Sequence, residues 1–220
     1  MAGRIGVAVL LVALASAGGS AERKIPLPQA GQEFVFSPEV PKHMTCNIDF
    51  RDPTDRLWPN FIGGRGTGRI VFDAAAPKGE FVIVFDRLNQ KNGDQRRRVL
   101  GEWIEPDRPF VVTLSVTSVG AFKEETIEET DGKGKGRPRT VLLAPMSGTL
   151  EVAGRKLPFE VKAQVRPSGP KDADKVESLC FDLRWTIQGK DLGLKAPDAT
   201  GTLEVYAGLQ AFVPQAPRKK

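Results

Sequence analysis

Residues 147–165, SGTLEVAGRKLPFEVKAQV, alternate apolar and polar side chains on both sides of a glycine-containing turn. Leu150 and Val152 share one face of the first run, with Thr149 and Glu151 on the other. Leu157, Phe159, Val161, Ala163 and Val165 then alternate with Pro158, Glu160, Lys162 and Gln164. Successive side chains of a strand point to opposite faces, so a period of two predicts a β-hairpin with one buried and one wet face. Ala153-Gly154-Arg155-Lys156 supplies the turn.

The rest of the chain repeats this pattern. Strands are predicted over residues 33–37 (Phe34 and Phe36 on one face), 45–50 (Cys46, Ile48, Phe50) and 68–73 (Ile70, Phe72). Residues 80–88, EFVIVFDRL, are apolar on both faces in the middle, which predicts cover on both sides. Further strands are predicted over 110–119, 140–144, 179–187 and 200–212. One short helix is expected over 95–103, where Val99, Leu100 and Trp103 fall at helical spacing. Residues 121–146 read as a long hairpin with a mobile Gly/Lys tip, and their acidic run (Glu124, Glu125, Glu128, Glu129, Asp131) as a solvated strand face rather than paired acid/base groups. The glycine-rich stretch 61–68 looks like a phosphate loop but lacks the terminal Lys-Ser/Thr, and no helical pattern follows. It reads as a glycine-kinked strand or turn. Many short strands separated by turn signals predict an all-β antiparallel sandwich or barrel.

Residues 1–21 have the form of a secretory signal peptide: Arg4, an apolar run over 5–15, then small residues at 15–17 or 19–21. An uncleaved anchor is the alternative, though the run is shorter than the ~20 residues a span needs. Export, to a periplasm or outside the cell, changes how Cys46 and Cys180 are read. Two cysteines in an exported chain most simply form one disulfide; buried free thiols are the alternative. Metal ligation is disfavoured, since His43 is the one histidine and no CxxC pair occurs. The net charge of +5 is mild and spread out, apart from residues 96–98, 133–139 and 218–220. These clusters lack interleaved aromatics, so no nucleic-acid partner is expected. They read as a solvated surface, with contact to an anionic membrane surface as the alternative.

The order of the pieces resembles the YceI-like family of exported lipocalin-like barrels. The resemblance is carried by GRIVFD at 68–73, the run 81–88, NGD at 92–94, the basic stretch 96–98 leading to Trp103 and Pro109, the strand 110–119, SGTLEVAG at 147–154 before Pro158, and DLGL at 191–194. It implies an eight-stranded antiparallel lipocalin-like barrel over residues 33–213, with one short helix, a linker at 22–32 and a basic tail at 214–220. It also implies a long apolar ligand such as a polyisoprenoid or a fatty-acid amide, and no cofactor. The alternating rows fit this independently, since a barrel of eight strands has an interior that side chains fill or that holds one small ligand. The residues expected to line it are Leu157, Phe159 and Val161, then Phe181, Leu183 and Trp185, then Leu203 and Val205. The competing reading is that these side chains fill the core of a stress or interaction protein with no small ligand. A hydrolase is the weakest reading: there is no Gly-x-Ser-x-Gly, and His43 stands alone. No catalytic residue is expected, and nothing in the sequence speaks to oligomeric state.

Overall fold

The computed structural model describes residues 25–36, 46–51, 60–62, 65–73, 77–85, 111–130, 136–152, 154–169, 175–192 and 201–214. Their strands are β1 (Glu33–Phe36), β2 (Asn47–Arg51), β3 (Asn60–Ile62), β4 (Arg65–Val71), β5 (Lys78–Phe85) and β6 (Val112–Val119). Then follow β7 (Lys123–Thr130), β8 (Gly136–Val152), β9 (Arg155–Ser168), β10 (Ser178–Gln188) and β11 (Thr202–Phe212). Eight of them form a closed antiparallel barrel in the order β1-β4-β5-β6-β8-β9-β10-β11. The circle closes where Val35 of β1 meets Phe212 of β11. Closure removes the sheet edges that would otherwise invite pairing with another chain. The lower part of β11 pairs with β2, which pairs with β3, and β7 pairs with the first half of β8. The predicted helix over 95–103 lies outside the described residues; among these the only helical element is a single 3-10 turn at Gly189–Leu192.

The hairpin at 147–165 is formed by β8 and β9, with Leu150 opposite Leu157 and Val152 opposite Arg155. Its turn is tighter than the sequence implied. β9 begins at Arg155, because Gly154 takes φ of 79°, the left-handed conformation that two-residue hairpin turns need. Strand β8 is also longer than expected. The segments at 140–144 and from 147 onward are one strand of 17 residues that runs through Pro145. Pro145 has no N–H to donate, and it stands where the neighbour on that side of β8 changes. Leu143 pairs with Lys123 of β7, Met146 pairs with Val119 of β6, and between them the Pro145 carbonyl accepts from the N–H of Gly120 at 2.7 Å. In β5 the expected two-sided cover is absent among the described residues. Phe81, Ile83 and Phe85 are buried, whereas Val82 on the outer face is 36% exposed.

At the upper end of the barrel lie Glu33, Val119, Ser178 and Phe212, and at the lower end Phe85, Val112, Arg155, Gln188 and Thr202. The upper half is filled by a chain of rings. Phe72 meets Phe122 edge-on at 5.3 Å, Phe122 meets Phe181 at 6.4 Å, Phe181 lies 6.4 Å from Phe36, and Phe36 stacks on Phe81 at 4.1 Å. Each buried phenylalanine stabilises the fold by roughly 1.5–3 kcal/mol. The last of these contacts depends on the glycine-rich stretch. Phe36 and Phe81 belong to β1 and β5, with β4 between them, and both pair with Gly68. A side chain at Gly68 would collide with Phe81 and the Glu80 carbonyl, and its φ of 126° is closed to other residues. Gly66 and Gly68 therefore make β4 a thinned strand over which two rings meet.

Candidate functional site

Alternation places all eight predicted lining residues on the inner face of β9, β10 and β11, and the structure then divides them. Phe181, Leu183, Leu203 and Val205 are no more than 1% exposed. Phe181 belongs to the upper ring chain, and the other three are packed among β10, β11 and their neighbours. Leu157, Val161 and Trp185 keep part of their surface accessible and pack against the core cluster. Phe159 joins them by stacking on Trp185 at 5.1 Å.

These four gather where the barrel wall changes. The ladder between β9 and β10 runs from Ser168–Ser178 to Gln164–Asp182 and stops. Both strands continue: β9 extends down to Arg155, fully paired with β8, and β10 extends to Gln188, fully paired with β11. Below Asp182 the two strands meet through side chains instead of a backbone ladder. The Phe159–Trp185 stack spans the separation, and Ile187, next along the same inner row as Trp185, lies below it. The 3-10 turn at Gly189–Leu192 packs against β9, with Leu192 buried. Outside, Glu160, Lys162, Arg184 and Thr186 form an exposed polar rim. The indole N–H of Trp185 is buried with no hydrogen-bond partner. Most buried donors are satisfied, so an orphan of this kind marks a place where an acceptor belongs. Alternation identified the rows that meet here. It could not show the separation, because where a ladder ends depends on strand register.

A polar network on the outer wall was not foreseen. Asp182 accepts from the hydroxyl of Tyr206 at 2.7 Å and pairs with Arg166 at 2.8 Å, while the guanidinium of Arg184 lies 5.2 Å from the centre of the Tyr206 ring. Burial, followed by the hydrogen bond to Asp182, pushes the Tyr206 phenol up to about 12. Its members are outward residues of β9, β10 and β11, and only the register brings them together.

The disulfide between Cys46 and Cys180 is not formed: both are free thiols. Cys180 pairs across β10 and β11 with Gln210, whereas Cys46 precedes β2 on the opposite edge of β11. β11 lies between β10 and β2, and the two thiols remain unbonded although near enough that Cys180 adds to the rise burial gives the Cys46 pKa. Burial raises both thiols above their ordinary value; at Cys180 the nearby Arg166 opposes the rise. Neither has the lowered pKa of a reactive cysteine. No group of three or more His, Cys, Asp and Glu able to hold a metal occurs among the described residues. His43 lies outside them.

Fold and site together define a closed eight-stranded barrel with a ring-filled upper half and an interrupted ladder, bridged by apolar side chains, low in one wall. No family model and no curated protein matches the chain. Among solved structures it is similar to BcnA of Burkholderia cenocepacia, at 12% identity and a TM-score of 0.50, over 75% of this chain and 95% of that one. A second similar structure is a polyisoprenoid-binding domain from Saccharophagus degradans implicated in plant cell wall breakdown. There the identity is 11% and the TM-score 0.43, over 83% of this chain and 99% of that one. The similarity to BcnA agrees with the antiparallel barrel expected from the sequence, at the level of the fold.

Proposed function

We propose that this barrel binds one long apolar chain, of polyisoprenoid or fatty-acyl type, in the lower half of its interior. The observation that supports the reading most directly is the partial accessibility of Leu157, Val161 and Trp185, inward residues packed against the core beside an unpaired indole N–H. Ligand pockets are mostly apolar with a few placed polar groups, and this group of residues has that composition. The sequence resemblance to YceI-like barrels points the same way. In this reading the protein is not an enzyme, is exported by residues 1–21, and acts in a periplasm or outside the cell. Its basic clusters bring it against a membrane from which the ligand is drawn.

The ring-filled upper half favours a second reading, an extracytoplasmic interaction or stress protein with no small ligand. Native mass spectrometry of the purified protein separates the two. A co-purifying lipid mass, or uptake of added isoprenoid, supports binding; an apo mass that takes up neither supports the second reading. Phe159→Leu sharpens the test. Lining a ligand slot, it shifts chain-length preference and leaves apo stability nearly unchanged. Filling a closed core, it destabilises by about 1 kcal/mol or more and shifts nothing else.

A further inference from the structure

The orphaned indole and the interrupted ladder occur at the same place, which gives the ligand a route and a chemical class. We propose that the lower boundary between β9 and β10 is a side entrance through the barrel wall. It admits an aliphatic chain carrying an oxygen acceptor, which takes the hydrogen bond of Trp185 Nε1. This rests on the apolar-ligand reading above and goes beyond it by naming the point of entry and the functional group.

Four observations converge. The ladder stops at Gln164–Asp182 although both strands run on, so the wall is held there by ring stacking and by the 3-10 turn packed on β9, and not by a β9–β10 ladder. Side chains change rotamer on fast timescales, so rings part more readily than a backbone ladder. The inner residues at the opening, Leu157, Val161 and Trp185, are apolar and partly accessible, while the outer rim of Glu160, Lys162, Arg184 and Thr186 is polar and exposed. That layering suits a molecule with an apolar body and a polar end. The buried N–H of Trp185 can only donate, so its partner must be an acceptor: a carbonyl, hydroxyl or phosphate oxygen, and not a bare hydrocarbon. Leaving it unmet disfavours a hydrocarbon without oxygen relative to the same chain with one.

Two measurements on the full chain test this. The first compares hexadecanamide with hexadecane, both delivered from cyclodextrin. Wild type should prefer the amide by about tenfold, and Trp185→Phe should bring the preference close to one. An unchanged preference in the variant overturns the role given to the indole. The second closes the wall. Lys162→Cys with Arg184→Cys, in a Cys180→Ser background, places a pair on the outer face one step below the last ladder pair. Oxidation should slow hexadecanamide uptake by about tenfold, and reduction should restore it. Equal rates in the cross-linked and reduced forms overturn the side entrance. If wild type takes up neither probe, the apolar-ligand reading itself falls. If it takes up both equally and cross-linking changes nothing, only this inference falls.

Discussion

Tyr206 is the one tyrosine of the chain, so its ionisation is read without interference from another phenol. Its pKa is about 12 in the folded protein against 10.0 for the free group. Below pH 10 both folded and unfolded chains keep the proton, and the contribution to stability is fully present. Between about pH 10 and 12 the unfolded chain gives up the proton first, so stability falls as pH rises through this window. Ultraviolet titration should show a midpoint near 12, and Asp182→Asn should lower it. A midpoint near 10 in the native wild type would mean that neither the burial of Tyr206 nor its contact with Asp182 persists in solution. Gly68 makes a second prediction. Gly68→Ala forces a side chain into Phe81 at a φ that alanine resists, and should destabilise by about 3 kcal/mol or more. Chemical denaturation measures it; a change below about 1 kcal/mol would show that β4 shifts freely and that the Phe36–Phe81 stack is not tight.

Among the described elements, β7 pairs with β8 alone, outside the eight strands of the barrel. Residues 123–126 and 128 are exposed, and β7 is joined to β9 across β8 by the Glu125–Lys162 pair at 3.6 Å, which is exposed and therefore weak. Replacing residues 131–135 with a two-residue Asn-Gly turn should cost under about 1 kcal/mol, measured by thermal melting. A fall in melting temperature of more than about ten degrees would show that the tip packs on the barrel. The cysteines make the other prediction at this scale. With β11 between them, non-reduced protein unfolded in the presence of an alkylating agent should add two labels, and a cross-linked species with none would place β2 differently. The elements most legible in the sequence were those with clean alternation: Leu179 to Ile187 became β10, and Leu203 to Ala211 became β11. Pro145 hid the continuity of β8, because a proline ends a strand unless its partners change at that point. The Cys46–Cys180 expectation rested on counting cysteines, and counting does not show which strand lies between.

For the whole molecule, pattern reached an antiparallel sandwich or barrel with an apolar interior, since each inward row was readable by itself, and the family resemblance pointed to the barrel. Which rows become neighbours was not readable. Phe159 and Trp185 sit in separate strands 26 positions apart, and only the register at Gln164–Asp182 brings their rings together. The closure at Val35–Phe212 has a consequence for how the chain reaches this state. β1 finds its partners in β4 and β11, so the first strand to leave the ribosome waits until the last has arrived. Contacts this distant in sequence are slow to form, and refolding should take milliseconds to seconds at least. Until then β1 and β11 are open edges, available to one another or to a second chain. The barrel is therefore most prone to aggregate just before it closes. A chaperone that shields either strand during passage to the folded state would protect the whole circle.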